Sequence, residues 1–302
     1  MYDGIINVYK EKGFTSHDVV AKMRGILGQR KIGHTGTLDP AAEGVLPVCA
    51  GKGTKLCDML TDHDKTYRAV LLLGTETDTE DTTGTVLETK ETSGLTEKEV
   101  QDAVLSFIGD YAQIPPMYSA VKVNGQKLYD LARKGREVER PARDIIVHEM
   151  ELLDFDENAQ KGTLRCVVSK GTYVRTLVND LGEKLGTLAV LHSLVRTRSG
   201  AYPLDRCRSF EDCERAMADG TMQQLLLPTD SLFTDCPAVA LTAEGAERIA
   251  RGAVVFPRQT DSLPETAGTL CRVYHEGRFL MLGQVRELDK GGLGLFVYKN
   301  FR

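Results

Sequence analysis

The chain has no apolar run of about 18 residues, so no membrane-spanning helix is expected. Its first residues, Met1-Tyr2-Asp3-Gly4, lack a basic segment followed by an apolar one, so no secretory leader is expected. The seven cysteines are odd in number and form no Cys-x-x-Cys pair. That argues for reduced thiols in a cytoplasmic protein and against a disulfide framework or a zinc site. The histidines and cysteines show no metal-ligand spacing, so no metal is expected. Gly51-Lys52-Gly53-Thr54 faintly resembles a phosphate loop, but that loop needs glycine at position 46 and Ser or Thr at 53, where Leu46 and Gly53 stand. Ser169 lacks a Gly-x-Ser-x-Gly elbow, and no dinucleotide fingerprint is present. Nucleotide hydrolysis and serine hydrolysis are thereby disfavoured.

What remains is a chain of 302 residues with ordinary hydrophobic (41%) and charged (27%) content, enough for one large domain and one small one. The net charge of −5 is unevenly spread. Residues 76–102 are strongly acidic, whereas Lys122 to Arg143 and Lys161 to Arg198 are strongly basic. One face can therefore be positive on an acidic protein. The plain alternative is a set of solvated surface charges.

Ile5 to Val8 reads as a strand, and Thr15 or Ser16 caps a helix bearing Val19, Val20, Met23, Ile26 and Leu27. Thr96-Glu97-Lys98-Glu99 fits a capping box opening a helix that Gly109 would stop. Ile145 to Phe155 and Thr163 to Val168 read as paired strands, and Thr176 to Leu185 as a helix. Without a strict βαβ repeat, the expected class is α+β with a mixed, mostly antiparallel sheet. Pro228 and Pro237 bracket a boundary: residues 1–232 form the large domain and 237–302 a small β-barrel-like module.

The most informative stretch is Gly33-His34-Thr35-Gly36-Thr37-Leu38-Asp39-Pro40-Ala41-Ala42-Glu43-Gly44-Val45-Leu46. It holds one acid, Asp39, at a bend shaped by glycines and by Pro40. Three further segments stand out. Lys65-Thr66-Tyr67-Arg68 sets a phenol among cations. Gln113-Ile114-Pro115-Pro116-Met117-Tyr118-Ser119-Ala120 precedes a basic stretch with Tyr129. Gly171-Thr172-Tyr173-Val174-Arg175-Thr176 opens a helix. Taken singly, Tyr67 and Tyr173 read as core aromatics, His34 as a bonded loop histidine and Arg175 as a surface charge. A cation near a helix start is nevertheless slightly unfavourable, which calls for a carboxylate partner.

Together these segments resemble the tRNA pseudouridine synthase B family, whose members make pseudouridine-55 in the tRNA T loop. The resemblance covers essentially the whole chain. It implies a pseudouridine-synthase catalytic domain with an RNA-gripping insertion at 109–143, and a PUA-type RNA-binding module at 237–302. The implied catalytic residues are Asp39, acting at C1′ of a flipped-out uridine, Arg175, holding Asp39 charged and oriented, and Tyr67, stacking on the base. Lys10, His34, Tyr173 and Leu194 would bind substrate, His34 by holding the RNA loop and Leu194 as an apolar wall. Lys122, Lys127, Arg133, Arg136, Arg140 and Arg143 would grip phosphates. The isomerisation gains and loses no atom, so no cofactor is expected. The partner would be the T arm of tRNA, met by a monomer with no obligate protein partner. The glycines around Asp39 would leave room for RNA backbone. One departure is Glu11 in Lys10-Glu11-Lys12-Gly13, where the family usually has proline, which bears on the stiffness of that turn. Two other readings compete: a sister synthase with another RNA target, and a non-catalytic tRNA-binding or folding chaperone on the same scaffold.

Overall fold

The computed structural model describes residues 1–92 and 94–302. In chain order its strands are β1 (Gly4–Lys10), β2 (Ile32–His34), β3 (Glu43–Ala50), β4 (Lys65–Leu73), β5 (Thr75–Thr77), β6 (Val86–Thr89), β7 (Gly109–Gln113), β8 (Lys122–Val123), β9 (Gln126–Lys127), β10 (Arg143–Asp156), β11 (Lys161–Val168), β12 (Ala189–Ser199), β13 (Tyr202–Pro203), β14 (Ala238–Ala240), β15 (Leu270–His275), β16 (Arg278–Glu287) and β17 (Leu293–Asn300). The helices are α1 (Ser16–Leu27), α2 (Cys57–Thr61), α3 (Glu97–Leu105), α4 (Leu128–Ala132), α5 (Val174–Lys184), α6 (Phe210–Ala218), α7 (Met222–Leu225) and α8 (Ala243–Ala250).

One large sheet runs β1-β3-β12-β4-β11-β10-β7, with β2 beside β3 and β13 beside β12. Its pairs are antiparallel except β3 with β12, which run parallel. The α+β, mostly antiparallel expectation therefore holds. Helices α3 and α5 bury Val100, Val104, Leu177, Val178 and Leu181 against this sheet, in one core with Tyr67, Leu194 and Leu38. At the other end α1, α6 and α7 pack Val19, Met23, Phe210 and Met222 over β1 and β3.

Local signals account for several element ends. Thr15 caps α1, its hydroxyl accepting from the Asp18 N–H at 3.0 Å while Asp18 returns the bond to the Thr15 N–H at 2.8 Å. Thr96 and Glu99 form the same box on α3. That helix ends at Leu105, not at Gly109. Ser106 caps it, and Gly109 (φ +119°) starts β7 instead. Two central strands carry no clean strand signal. β3 contains Gly44 and Pro47, and β12 contains His192, Arg196 and Arg198, so both break the usual alternation.

The segment expected to grip RNA divides. Gly109–Gln113 is an edge of the large sheet, paired with β10, and only the residues after Gln113 leave it. They form the β8–β9 hairpin and α4. Asn124 (φ +51°) and Gly125 (φ +78°) give its two-residue turn the positive angles of a type I′ hairpin.

Residues after Pro237 build a four-stranded sheet, β14-β15-β16-β17, with a core of Val239, Ile249, Val273, Met281 and Leu295. This module is docked: Leu282 and Phe301 are buried with Ile5, Cys49, Leu56 and Tyr202 of the large sheet's surroundings. No helix among the described residues is long and apolar enough to cross a membrane.

Candidate active site

Asp39 lies in the loop between β2 and β3, and that loop is held from below. Leu38 and Ala42 are buried in the sheet core on either side of it. Leu38 exchanges bonds with the Ser16 hydroxyl, its N–H donating at 2.9 Å. The Asp39 carbonyl accepts the Ala42 N–H at 3.0 Å, closing the bend. Lys10 is fully buried and spends its ammonium on three carbonyls, those of Ala42 (2.5 Å), Glu11 (3.1 Å) and Pro40 (3.3 Å). Burial holds Lys10 down at about 8. Lys10 is thus a brace for the Asp39 loop. It also stiffens the turn where Glu11 replaces proline, with help from Gly13, whose N–H donates to the Pro40 carbonyl at 2.8 Å.

The glycines of this loop make room for protein. A Cβ on Gly44 (φ +104°) would lie 2.3 Å from the Arg196 carbonyl, and one on Gly33 would lie 3.0 Å from Cys57 Sγ. At Gly44 and Gly33 the expectation of room for RNA backbone gives way to a fit against protein, whereas a Cβ on Gly36 would meet only Arg196 and Lys65 at 3.7 and 3.8 Å. The parallel pairing of β3 with β12 sets Gly44 beside Arg196, and that strand needs the space.

Arg175 answers Asp39. It stands in the first turn of α5, with 6% of its side chain exposed against 41% for Asp39, and Nη2 is 3.4 Å from Asp39 Oδ2. The same guanidinium donates to the carbonyls of Tyr118 (2.6 Å) and Thr79 (3.3 Å) and lies 5.8 Å from the centre of the Tyr173 ring. The cation that a helix start disfavours is therefore compensated. Tyr173, the residue capping α5, is pinned by buried Gln113, which accepts its N–H (2.8 Å) and donates to its carbonyl (3.0 Å). Burial raises the Tyr173 phenol. Behind Arg175, the Glu80 carboxylate accepts from the Thr176 hydroxyl at 2.5 Å; burial raises it, opposed by that bond and by Arg175.

Leu194 lines the same cleft as Asp39, together with Lys12, Asp81, Thr82, Thr83 and Leu191. Tyr67 is nearly buried on β4, and burial raises its phenol while the neighbouring Arg196 pulls it down. His34 sits on β2 with its ring edge-on to His17, 5.5 Å between centres. Burial, then His17 and Arg196, lower it, which favours the neutral ring. Arg175, Leu194 and Lys10 thus surround the Asp39 loop, with Tyr173 beside Arg175 and with Tyr67 and His34 both near Arg196.

The basic candidates divide between the arm and its root, where Arg140 and Arg143 are near enough to act on Glu80 and Tyr173. Lys122 and Lys127 are cross-strand partners on the hairpin, a pairing of like charges that is unfavourable without an anion. Lys127 and Arg133 flank the Tyr129 ring at 5.2 and 5.4 Å. Arg136 is exposed, Arg140 pairs with Glu137 at 3.3 Å, and Arg143 begins β10 opposite Gln113.

Two buried cations escaped notice as surface charges. Arg196 donates to the Val45 carbonyl at 2.7 Å and the Gly36 carbonyl at 3.2 Å, and is the register partner of Tyr67. Lys65 donates to the carbonyls of Thr61 and His63, each at 2.5 Å, and burial holds it at about 8. The signal was available: Arg196 is two residues from Leu194 and Lys65 two from Tyr67, hence on the same strand faces.

The whole fold has counterparts among solved structures. The chain superposes on the structure titled as the archaeal box H/ACA sRNP Nop10-Cbf5 complex with a TM-score of 0.69 at 23% identity, covering 99% of this chain and 86% of that one. It superposes on a Cbf5-Nop10-Gar1 complex with a TM-score of 0.71 at 25% identity, over 99% and 85%. These likenesses show that the chain shares its fold with the superposed chains of those complexes.

The family follows from sequence. The model of the TruB family pseudouridylate synthase N-terminal domain matches residues 24–174, and that of the tRNA pseudouridylate synthase B C-terminal domain matches residues 175–234. Proteins named tRNA pseudouridine synthase B are 46% identical in Bacillus cereus (83% of each chain) and 45% identical in Bacillus licheniformis (92% of this chain, 88% of that one) and Geobacillus thermodenitrificans (84% and 85%). The chain belongs to the TruB family of pseudouridylate synthases and is an isomerase. Both family models end before β14, so the small module lies outside them.

Proposed function

We propose that this enzyme converts uridine to pseudouridine at position 55 in the T loop of tRNA. The observation that carries the reading is the half-exposed Asp39 carboxylate beside buried Arg175, on a loop braced by Lys10 and Arg196. Breaking the N1–C1′ bond builds oxocarbenium-like charge on the ribose, and a fixed carboxylate stabilises it. The uridine leaves its stack to reach Asp39. Leu194 supplies an apolar wall and Tyr67 the surface against which the freed uracil turns. C5 then joins C1′, the C5 proton departs through the Tyr67 hydroxyl, and N1 is protonated, so the product is an isomer. His34 holds the opened RNA loop, with Tyr173 beneath Arg175. Lys122, Lys127, Arg133, Arg136, Arg140 and Arg143 bind phosphates on the arm, and the small module adds RNA contact. Names of relatives at about 45% identity support tRNA as the substrate.

The test is incubation with unmodified tRNA followed by chemical mapping of pseudouridine. The expected result is modification at position 55 alone. Modification elsewhere, or none, overturns the assignment.

A further inference from the structure

Four cations crowd together where the small module meets the large sheet. The Gly51 N–H donates to the Lys31 carbonyl at 2.8 Å, which sets Lys31 beside Lys52. One helical turn on, Lys55 Nζ donates to the Asn300 carbonyl at 2.7 Å. The Asn300 side-chain oxygen accepts from Arg302, from its N–H at 2.8 Å and from Nε at 3.4 Å. Lys55 and Arg302 thus converge on one neutral residue. None of the four cations makes an ion pair among the described residues. The carboxylate that touches the cluster is Asp3, which is occupied by the Lys52 backbone N–H at 2.7 Å. Burial, then the charges of Lys31, Lys52 and Arg302, lower the Lys55 ammonium.

Four like charges near a single carboxylate, none of them in an ion pair among the described residues, leave a net positive patch that a polyanion relieves. Lys55 and Arg302 are tied to Asn300 and cannot swing apart, while the side chains of Lys31 and Lys52 beside them are free of hydrogen bonds among the described residues and open to a ligand. The cluster is also within reach of the active site. Strand β2 connects it to His34, three residues of extended chain, or about 10 Å.

We propose that Lys31, Lys52, Lys55 and Arg302 form a second phosphate-binding site for the substrate RNA, taking backbone phosphates of the duplex that adjoins the loop held at Asp39. The proposal rests on the tRNA reading above.

The test compares wild type with Lys31→Gln/Lys52→Gln, leaving Lys55 in place because it also bonds the module. Titrations of unmodified tRNA over a range of salt give the slope of log Kd against log salt. Two lost phosphate contacts on a duplex are expected to reduce that slope by about 1.8. Turnover at saturating tRNA should stay that of wild type, and Lys31→Arg/Lys52→Arg should keep the original slope. A wild-type slope and affinity in the glutamine variant overturn the site. A slope change that the arginine pair shares also overturns it, since it marks a folding defect and not a lost charge. If wild-type enzyme binds tRNA with this charge dependence yet makes no pseudouridine, the proposed function fails and the phosphate site stands.

Discussion

At Asp39 an accessible carboxylate meets a guanidinium that has little access to water, so the arginine is the fixed partner and the acid is free to face substrate. Asp39→Asn keeps the shape and removes the charge. Pseudouridine formation is expected to fall by at least about 10²–10³-fold, the loss seen when one transition-state electrostatic contact is removed, with tRNA affinity within a few-fold. A variant retaining a tenth of wild-type turnover would sink the role of Asp39. Arg196 works from beneath. Arg196→Met would leave the Gly36 and Val45 carbonyls unpaired, at about 1–3 kcal/mol for each buried group, so denaturant unfolding should show a loss of roughly 2 kcal/mol or more together with lower turnover. The braces Lys10 and Lys65 titrate at about 8, below the ordinary 10.5, because burial disfavours their charge. The sign is that of a depressed cation: between about 8 and 10.5 the unfolded chain holds the protons that the folded one has released, so these groups make stability rise with pH in that window. Activity should move the other way, since a neutral Lys10 gives up one of the three donors that hold the Asp39 loop. A pH–rate profile is expected to decline with a midpoint near 8, and a profile flat from pH 7 to about 9.5 would refute the bracing role.

At the scale of elements, the arm roots directly in the site. Gln113, the last residue of β7, pins Tyr173, and the Tyr118 carbonyl just beyond takes Arg175. The arm is therefore joined to Arg175 through a few residues of chain. The like-charged Lys122 and Lys127 pair at its tip predicts that Lys122→Gln/Lys127→Gln weakens tRNA binding and lowers the salt slope by about 1.4, with turnover at saturation preserved; an unchanged slope in a salt titration would remove these residues from the RNA surface. Much of the element pattern was legible. The capping boxes at Thr15 and Thr96 act through contacts three residues apart, and the apolar spacing of α5 is likewise local. β3 and β12 were not legible, since Gly44, Pro47, Arg196 and Arg198 look like breakers and surface charges until the parallel pairing shows what each one fits.

In the whole molecule, the small module is a neighbour of the large sheet with a shared apolar seam. Phe301→Ala should open that seam, at about 3–5 kcal/mol for a buried phenylalanine, and limited proteolysis is expected to release the segment after Pro237 while the large domain persists. Equal protease resistance in variant and wild type would mean the docking rests on other contacts. The sequence by itself determined the elements that depend on near neighbours: the caps, the helical stripes and the motif that bends the chain at Asp39. It also carried the family likeness, because those motifs are long and ordered. Only the tertiary structure decided which cation serves which carbonyl or carboxylate. Arg175 reaches Asp39, Arg196 supports Gly36, and Lys55 meets Asn300 through strand register and domain docking. A charge costs little in water and much when buried, so its role is set by what surrounds it, and that is fixed only when distant segments pack.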